Sequence, residues 1–137
     1  MNYINRLDIN NKIKQNTLSG KIHFSGVGVH NGRAVKMSIE PADVDTGIVF
    51  KRTDISKNNE IQATIDNVVN SSLCTKISNI KGVSVSTIEH LMAAFNALDL
   101  DNVLVKINAP ELPALDGSSN EYIKKILNAG IETQNKT

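Results

Sequence analysis

Two adjacent ionisable residues, Glu89 and His90, sit in the stretch Ser86-Thr-Ile-Glu-His-Leu-Met-Ala-Ala-Phe95. Around them Ile88, Leu91, Met92, Phe95 and Leu98 recur at i, i+3, i+4, i+7 and i+10, the apolar stripe of an amphipathic helix. At about 100° per residue, Glu89 and His90 fall off that stripe and stand together in the first turn. A helix N-terminus favours a carboxylate and disfavours an imidazolium. The pair therefore reads as a charged base, Glu89, beside a neutral and metal-competent His90. A bland arrangement fits the same residues. Ser86 and Glu89 have the spacing of a capping box, and His90 then needs only to be a surface residue. The second histidine of a His-Glu-x-x-His zinc helix is missing.

His30 and Cys74 are two further residues of a type that can do chemistry. His30 lies in Gly26-Val-Gly-Val-His-Asn-Gly32, which fits a tight hairpin turn; no helix start follows the glycines, as phosphate binding would require. Cys74 reads as a small, half-buried strand residue. It is the single cysteine, so no internal disulfide forms.

The elements that must position these residues are legible from periodicity. Strands are predicted over 17–29, 33–40, 48–52, 61–65 and 72–78, with Val83 and Val85 leading into the helix. Residues 102–108 form the most apolar strand, which should be central. The loop 109–118 is pinned by Pro110 and Pro113, and Asp116-Gly117 is strong turn chemistry. Ser118 and Glu121 have capping-box spacing and open a second helix over 119–128, with Tyr122, Ile123, Ile126 and Leu127 on its apolar side and Gly130 as its stop. Residues 1–14 read as a loose, polar, Asn-rich extension to which no function is assigned, and 132–137 as a polar tail. The expected architecture is α+β, a two-layer sandwich of one sheet of about five strands with two helices packed on one face.

The chain has 137 residues, 40% apolar, enough for one globular domain with its own core. Net charge is +1, aromatics are 4% and tryptophan is absent, so neither a basic footprint nor a stacking platform for nucleic acid is present. No run of about 18 apolar residues predicts a membrane span, and the N-terminus has no apolar signal core. A cytoplasmic protein is expected.

Four segments in order carry a resemblance: Gly26-Val-Gly-Val-His-Asn-Gly32, Ser72-Leu-Cys-Thr75, Ser86-Thr-Ile-Glu-His-Leu91 and Asn108-Ala-Pro-Glu-Leu-Pro-Ala-Leu-Asp-Gly-Ser118. Together they resemble the N-terminal domain of the UDP-3-O-acyl-N-acetylglucosamine deacetylases, zinc amidases of lipid A biosynthesis in Gram-negative bacteria. The resemblance implies a domain over 15–132 and a linker over 133–137 that leads to an absent second domain. In the family each domain is a sheet with two helices, and the active site lies between them. By resemblance His90 is a zinc ligand and Glu89 the general base. Leu73 and Cys74 border the substrate pocket, His30 stands near it, and the loop prolines and Asp116-Gly117 are structural.

The family's remaining ligands, a His and an Asp of a His-x-x-x-Asp helix, belong to the second domain, as do a further catalytic His and a substrate-contacting Lys. The implied chemistry is a three-ligand zinc with an open position, which lowers the pKa of a bound water and polarises the acetamide carbonyl. Glu89 would take the water's proton and pass it to the leaving amine. The implied substrate is a UDP-sugar lipid, and the products are acetate and a free glucosamine amine. The chain alone is then expected to bind zinc poorly, to be inactive, and to self-associate through the surface that faces the second domain. The competing expectation is a non-catalytic α+β binding or scaffold domain.

Overall fold

The structure is a computed structural model that describes residues 6, 7 and 12–137. Most of the extension expected over 1–14 lies outside the described residues. Within it, Arg6 is not loose: it is 4% exposed, and its guanidinium donates to Asp101 Oδ2 at 3.0 Å and to the Lys14 carbonyl at 2.9 Å.

The elements in chain order are β1 Asn16–Leu18, β2 Ile22–Val27, β3 Ala34–Pro41, β4 Ile48–Arg52, β5 Glu60–Gln62, β6 Val68–Val69, β7 Lys76–Ser78, β8 Ser84–Ser86, α1 Glu89–Ala97, β9 Val103–Ile107, α2 Asn120–Ala129 and β10 Ile131–Thr133. The main sheet has the order β2-β3-β9-β4-β5, antiparallel except for the parallel β4–β9 pair. The apolar strand β9 is central, as its composition predicts.

Register explains the layers. Ile22, Ile39, Val105, Phe50 and Ile61 face one another across all five strands, and all are buried. Side chains alternate along a strand, so the neighbouring row, His23, Ser38, Lys106, Lys51 and Glu60, lies on the opposite face. The helices cover the apolar face. Leu91, Ala94 and Phe95 of α1 and Tyr122 and Ile126 of α2 share one core with these strands. The Phe24 and Tyr122 rings meet edge-on at 4.9 Å between centroids, a favoured aromatic geometry. The fold is α+β.

Several local expectations are corrected. The strand predicted over 17–29 is broken at Ser19-Gly20, and its first part, β1, pairs with β10 in a separate two-stranded sheet. Residues 131–133 are therefore strand, although hydropathy marks 132–137 as a tail. Hydrogen bonds supply what hydropathy lacks: buried Asn102 donates to the Gln134 side chain at 2.8 Å, and Gln134 donates to the Ala42 carbonyl at 2.8 Å. The strand predicted over 72–78 is reduced to β7, in a three-stranded sheet with β6 and β8. The one predicted over 61–65 ends at Gln62, and Ile65–Asn67 is a 3-10 turn.

The second capping box does not form. Asp116 Oδ1 instead accepts from the Ser118 amide and hydroxyl, each at 3.0 Å, and Ser118 Oγ accepts from the Asn120 amide at 3.2 Å. Glu121 turns to Lys125 one turn along. Gly130, at φ 98°, closes α2 as expected, its amide donating to the Ile126 carbonyl at 2.9 Å. No helix among the described residues is long and apolar enough to cross a membrane.

Candidate functional site

The chain reaches α1 through β8, and this sets the site. Ser86 is a strand residue, not a helix cap. Its amide and hydroxyl both donate to the Pro110 carbonyl, at 2.9 and 3.3 Å, and its carbonyl accepts from the Leu112 amide at 3.2 Å. Thr87 then turns the chain with φ 61°, a left-handed conformation uncommon for a β-branched residue. The helix begins only at Glu89, with no side-chain cap. The expected Ser86–Glu89 capping box is therefore absent, because docking of β8 onto the proline loop carries Ser86 away from the helix axis.

Glu89 is thereby released for another partner. Its Oε2 accepts from the Thr75 amide at 3.0 Å. Its Oε1 is buried and has no hydrogen-bond partner among the described residues. Thr75 also accepts from the Thr87 amide at 2.8 Å, so the segments 71–75 and 86–90 are tied together. His90 follows on α1 and is half-buried.

Leu73, Cys74 and His30 line one cleft of about 240 Å³ with Ser71, Ser72, Lys76, Ser86, Pro110 and Glu111. Residues far apart in sequence, at 30, 73 and 74, therefore converge. Leu73 is 75% exposed and Cys74 half-buried, with Ser71 Oγ 3.5 Å from its sulfur. A larger hollow of about 810 Å³ lies by β1 and β10, and among the described residues no histidine, cysteine, lysine or arginine lines it.

At the floor of the small cleft stands a residue that sequence reasoning left within a structural loop. Glu111 is 2% exposed. Its Oε1 accepts from the His30 and Asn31 amides at 2.9 and 3.1 Å; its Oε2 accepts from the Thr87 hydroxyl at 2.6 Å and meets His30 Nδ1 at 2.5 Å. Burial by itself would push this carboxyl up. The hydrogen bonds from Thr87, the Asn31 and His30 amides and the His30 ring outweigh it and hold Glu111 at about 2. The fit is close: a Cβ on Gly28 would stand 2.5 Å from Glu111 Oε1. A carboxylate between Pro110 and the apolar Leu112, in the loop 109–118, was the available signal.

Among the described residues no three His, Cys, Asp or Glu side chains are grouped to hold an ion. His23 belongs to the polar outer row of the sheet, and His30 is committed to Glu111. Of the described histidines this leaves His90, half-buried at the start of α1 and next in sequence to Glu89, and one imidazole is not a ligand set.

Fold and site define an α+β domain that presents a Glu–His pair at a helix start, tied by Thr75 to the wall of a cleft. The chain belongs to the LpxC family, UDP-3-O-acyl N-acetylglycosamine deacetylase, whose sequence pattern matches residues 15–137. It is 45% identical over 122 residues to the UDP-3-O-acyl-N-acetylglucosamine deacetylase of Haemophilus ducreyi, covering 89% of this chain and 40% of that protein. The enzymes of the same name from Tolumonas auensis and Francisella tularensis are 44% and 43% identical, over 89% and 90% of this chain and 40% and 44% of theirs. The chain thus spans about two fifths of the length of these relatives.

Proposed function

We propose that this chain supplies the general base, one metal ligand and a wall of the substrate cleft to a zinc-dependent amidase. The reaction is hydrolysis of the acetamide of UDP-3-O-acyl-N-acetylglucosamine, in lipid A biosynthesis. The relatives' shared name supports the reaction, and the geometry of Glu89 carries the assignment of roles. One oxygen of its carboxylate accepts from the Thr75 amide, while the other is buried without a hydrogen-bond partner among the described residues, and His90 is the next residue in sequence. A carboxylate held in place by a backbone amide through one oxygen, with the second oxygen left to act, is an arrangement a general base can use.

His90 would hold the zinc, which when bound supplies a Lewis acid for the acetamide carbonyl and acidifies water. The other ligands would come from the part of the relatives that this chain does not span. Glu89 Oε1 takes a proton from the attacking water and returns it to the departing nitrogen. The C–N bond breaks, and one water and one acetamide become acetate and a free amine. His30, Leu73 and Cys74 face the substrate from the cleft. Glu89 thus acts through protons and not by covalent attack.

The test is Glu89→Gln in a full-length relative. Glutamine keeps an acceptor for the Thr75 amide but cannot take the proton. Acetate release should fall about 100-fold or more, with the unfolding midpoint close to that of the parent. Retained turnover would refute the base and favour the non-catalytic binding reading for this part of the fold.

A further inference from the structure

We infer that Glu111 is a positioning residue that fixes the tautomer of His30, so that Nε2 is presented to the cleft as a hydrogen-bond acceptor for a hydroxyl or N–H group of the substrate. The inference rests on the proposed function only in taking the cleft as the substrate's.

The donors and acceptors around Glu111 decide where the ring carries its proton. An ionised carboxylate accepts and cannot donate. Glu111 is buried, and all four groups around it are arranged as donors: two backbone amides, the Thr87 hydroxyl and the His30 ring. Nδ1, 2.5 Å from Oε2, must therefore carry the proton. Thr87 Oγ1, at 3.4 Å from the same nitrogen, has committed its own proton to Glu111 and offers that ring N–H only a lone pair. Both neighbours of Nδ1 thus select the same tautomer. The ring, about one-third exposed, lines the cleft, and Nε2 is the nitrogen left for a ligand. In the neutral ring it is bare of hydrogen. A free histidine side chain prefers the opposite form, with the proton on Nε2, so the site reverses the default.

The same carboxylate reaches the candidate catalytic helix. By holding Thr87 in its left-handed turn, Glu111 links His30 to the residue that starts the run to Glu89 and His90. Gly28 leaves room for the link, because any side chain there would meet Glu111 Oε1. Three distant segments, the 28–31 turn, the 86–90 entry and the proline loop, are thus registered on one buried anion.

The experiment is a long-range ¹H–¹⁵N spectrum of the histidine rings in the 137-residue chain, at a pH where the rings are neutral. His30 is assigned by its loss in His30→Asn, and His23, exposed on the outer face of the sheet, serves as the free-imidazole reference. His30 should show a protonated Nδ1 and a bare Nε2, opposite to His23. Glu111→Gln should reverse the pattern. The glutamine carbonyl must stay at the Oε1 position to accept two backbone amides, which places the NH₂ donor against Nδ1 and moves the ring proton to Nε2. A carboxylate that packed against the ring without accepting its proton would leave His30 like His23. A wild-type His30 protonated on Nε2 overturns the inference, as does a folded Glu111→Gln protein that keeps the proton on Nδ1. If that variant does not fold, the wild-type spectrum alone decides. No substrate or turnover enters the measurement, so its failure is distinct from failure of the Glu89 assignment.

Discussion

Stability in acid should depend on Glu111 with a defined sign and window. The folded protein holds this carboxyl at about 2, against an ordinary value of 4.5. Each tenfold change in proton affinity corresponds to about 1.4 kcal/mol, so the displacement contributes about 3 kcal/mol at neutral pH. Glu111 is 2% exposed, and solvent screening takes little from that figure. Because the folded-state value is depressed, the contribution is complete above about 4.5 and is lost as the pH falls toward 2. Glu111→Gln keeps the shape and one acceptor oxygen but removes the charge. Urea unfolding of both proteins should give a gap of about 3 kcal/mol at pH 7, a midpoint shift of about 1–2 M. The gap should close between about pH 4.5 and 2. Other carboxyls held low, such as Asp54 beside the Arg52 guanidinium, are common to both proteins and cancel in the difference. A gap under about 1 kcal/mol at pH 7, or one that does not change down to pH 2, would refute the claim that charge on Glu111 anchors the site.

Thr87→Ala loses the 2.6 Å bond to Glu111 and keeps a Cβ in the left-handed region, so it should destabilise by about 2 kcal/mol. Thr87→Gly should be milder by about 0.5–1 kcal/mol in the same denaturant series, because glycine accepts that backbone. Gly28→Ala places a methyl 2.5 Å from Glu111 Oε1 and should cost about 1–3 kcal/mol. Gly20→Ala, with nothing within 4 Å of the new methyl, should stay within about 0.5 kcal/mol. Isothermal titration of the 137-residue chain with zinc should show only weak uptake, since catalytic zinc takes about three protein ligands and the described residues group no such set. Stoichiometric sub-micromolar binding would show that copies of the chain complete a site together.

Sequence alone determined the features that depend on local chemistry. The stripe from Ile88 to Leu98 and that of Tyr122 and Ile126 specify α1 and α2, because an apolar face at helical spacing has to be buried. Alternation in 33–40 and the run at 102–108 specify β3 and β9, and the most apolar run belongs in the middle, where both edges are covered. Gly130 stops its helix through a φ that other residues resist. The tertiary structure decided what depends on partners distant in sequence. Ser86 has the spacing of a cap, yet its hydroxyl goes to Pro110, because β8 docks on a loop more than twenty residues later. The polar residues 132–134 look like tail until Asn102 and Asn16 require partners. Glu111 looks like one more loop carboxylate until folding buries it against Thr87 and His30. Periodicity records which side of an element meets apolar surroundings. It carries no record of which donor meets which acceptor, and those pairings, expensive to leave unmade once water is excluded, are what assemble the site.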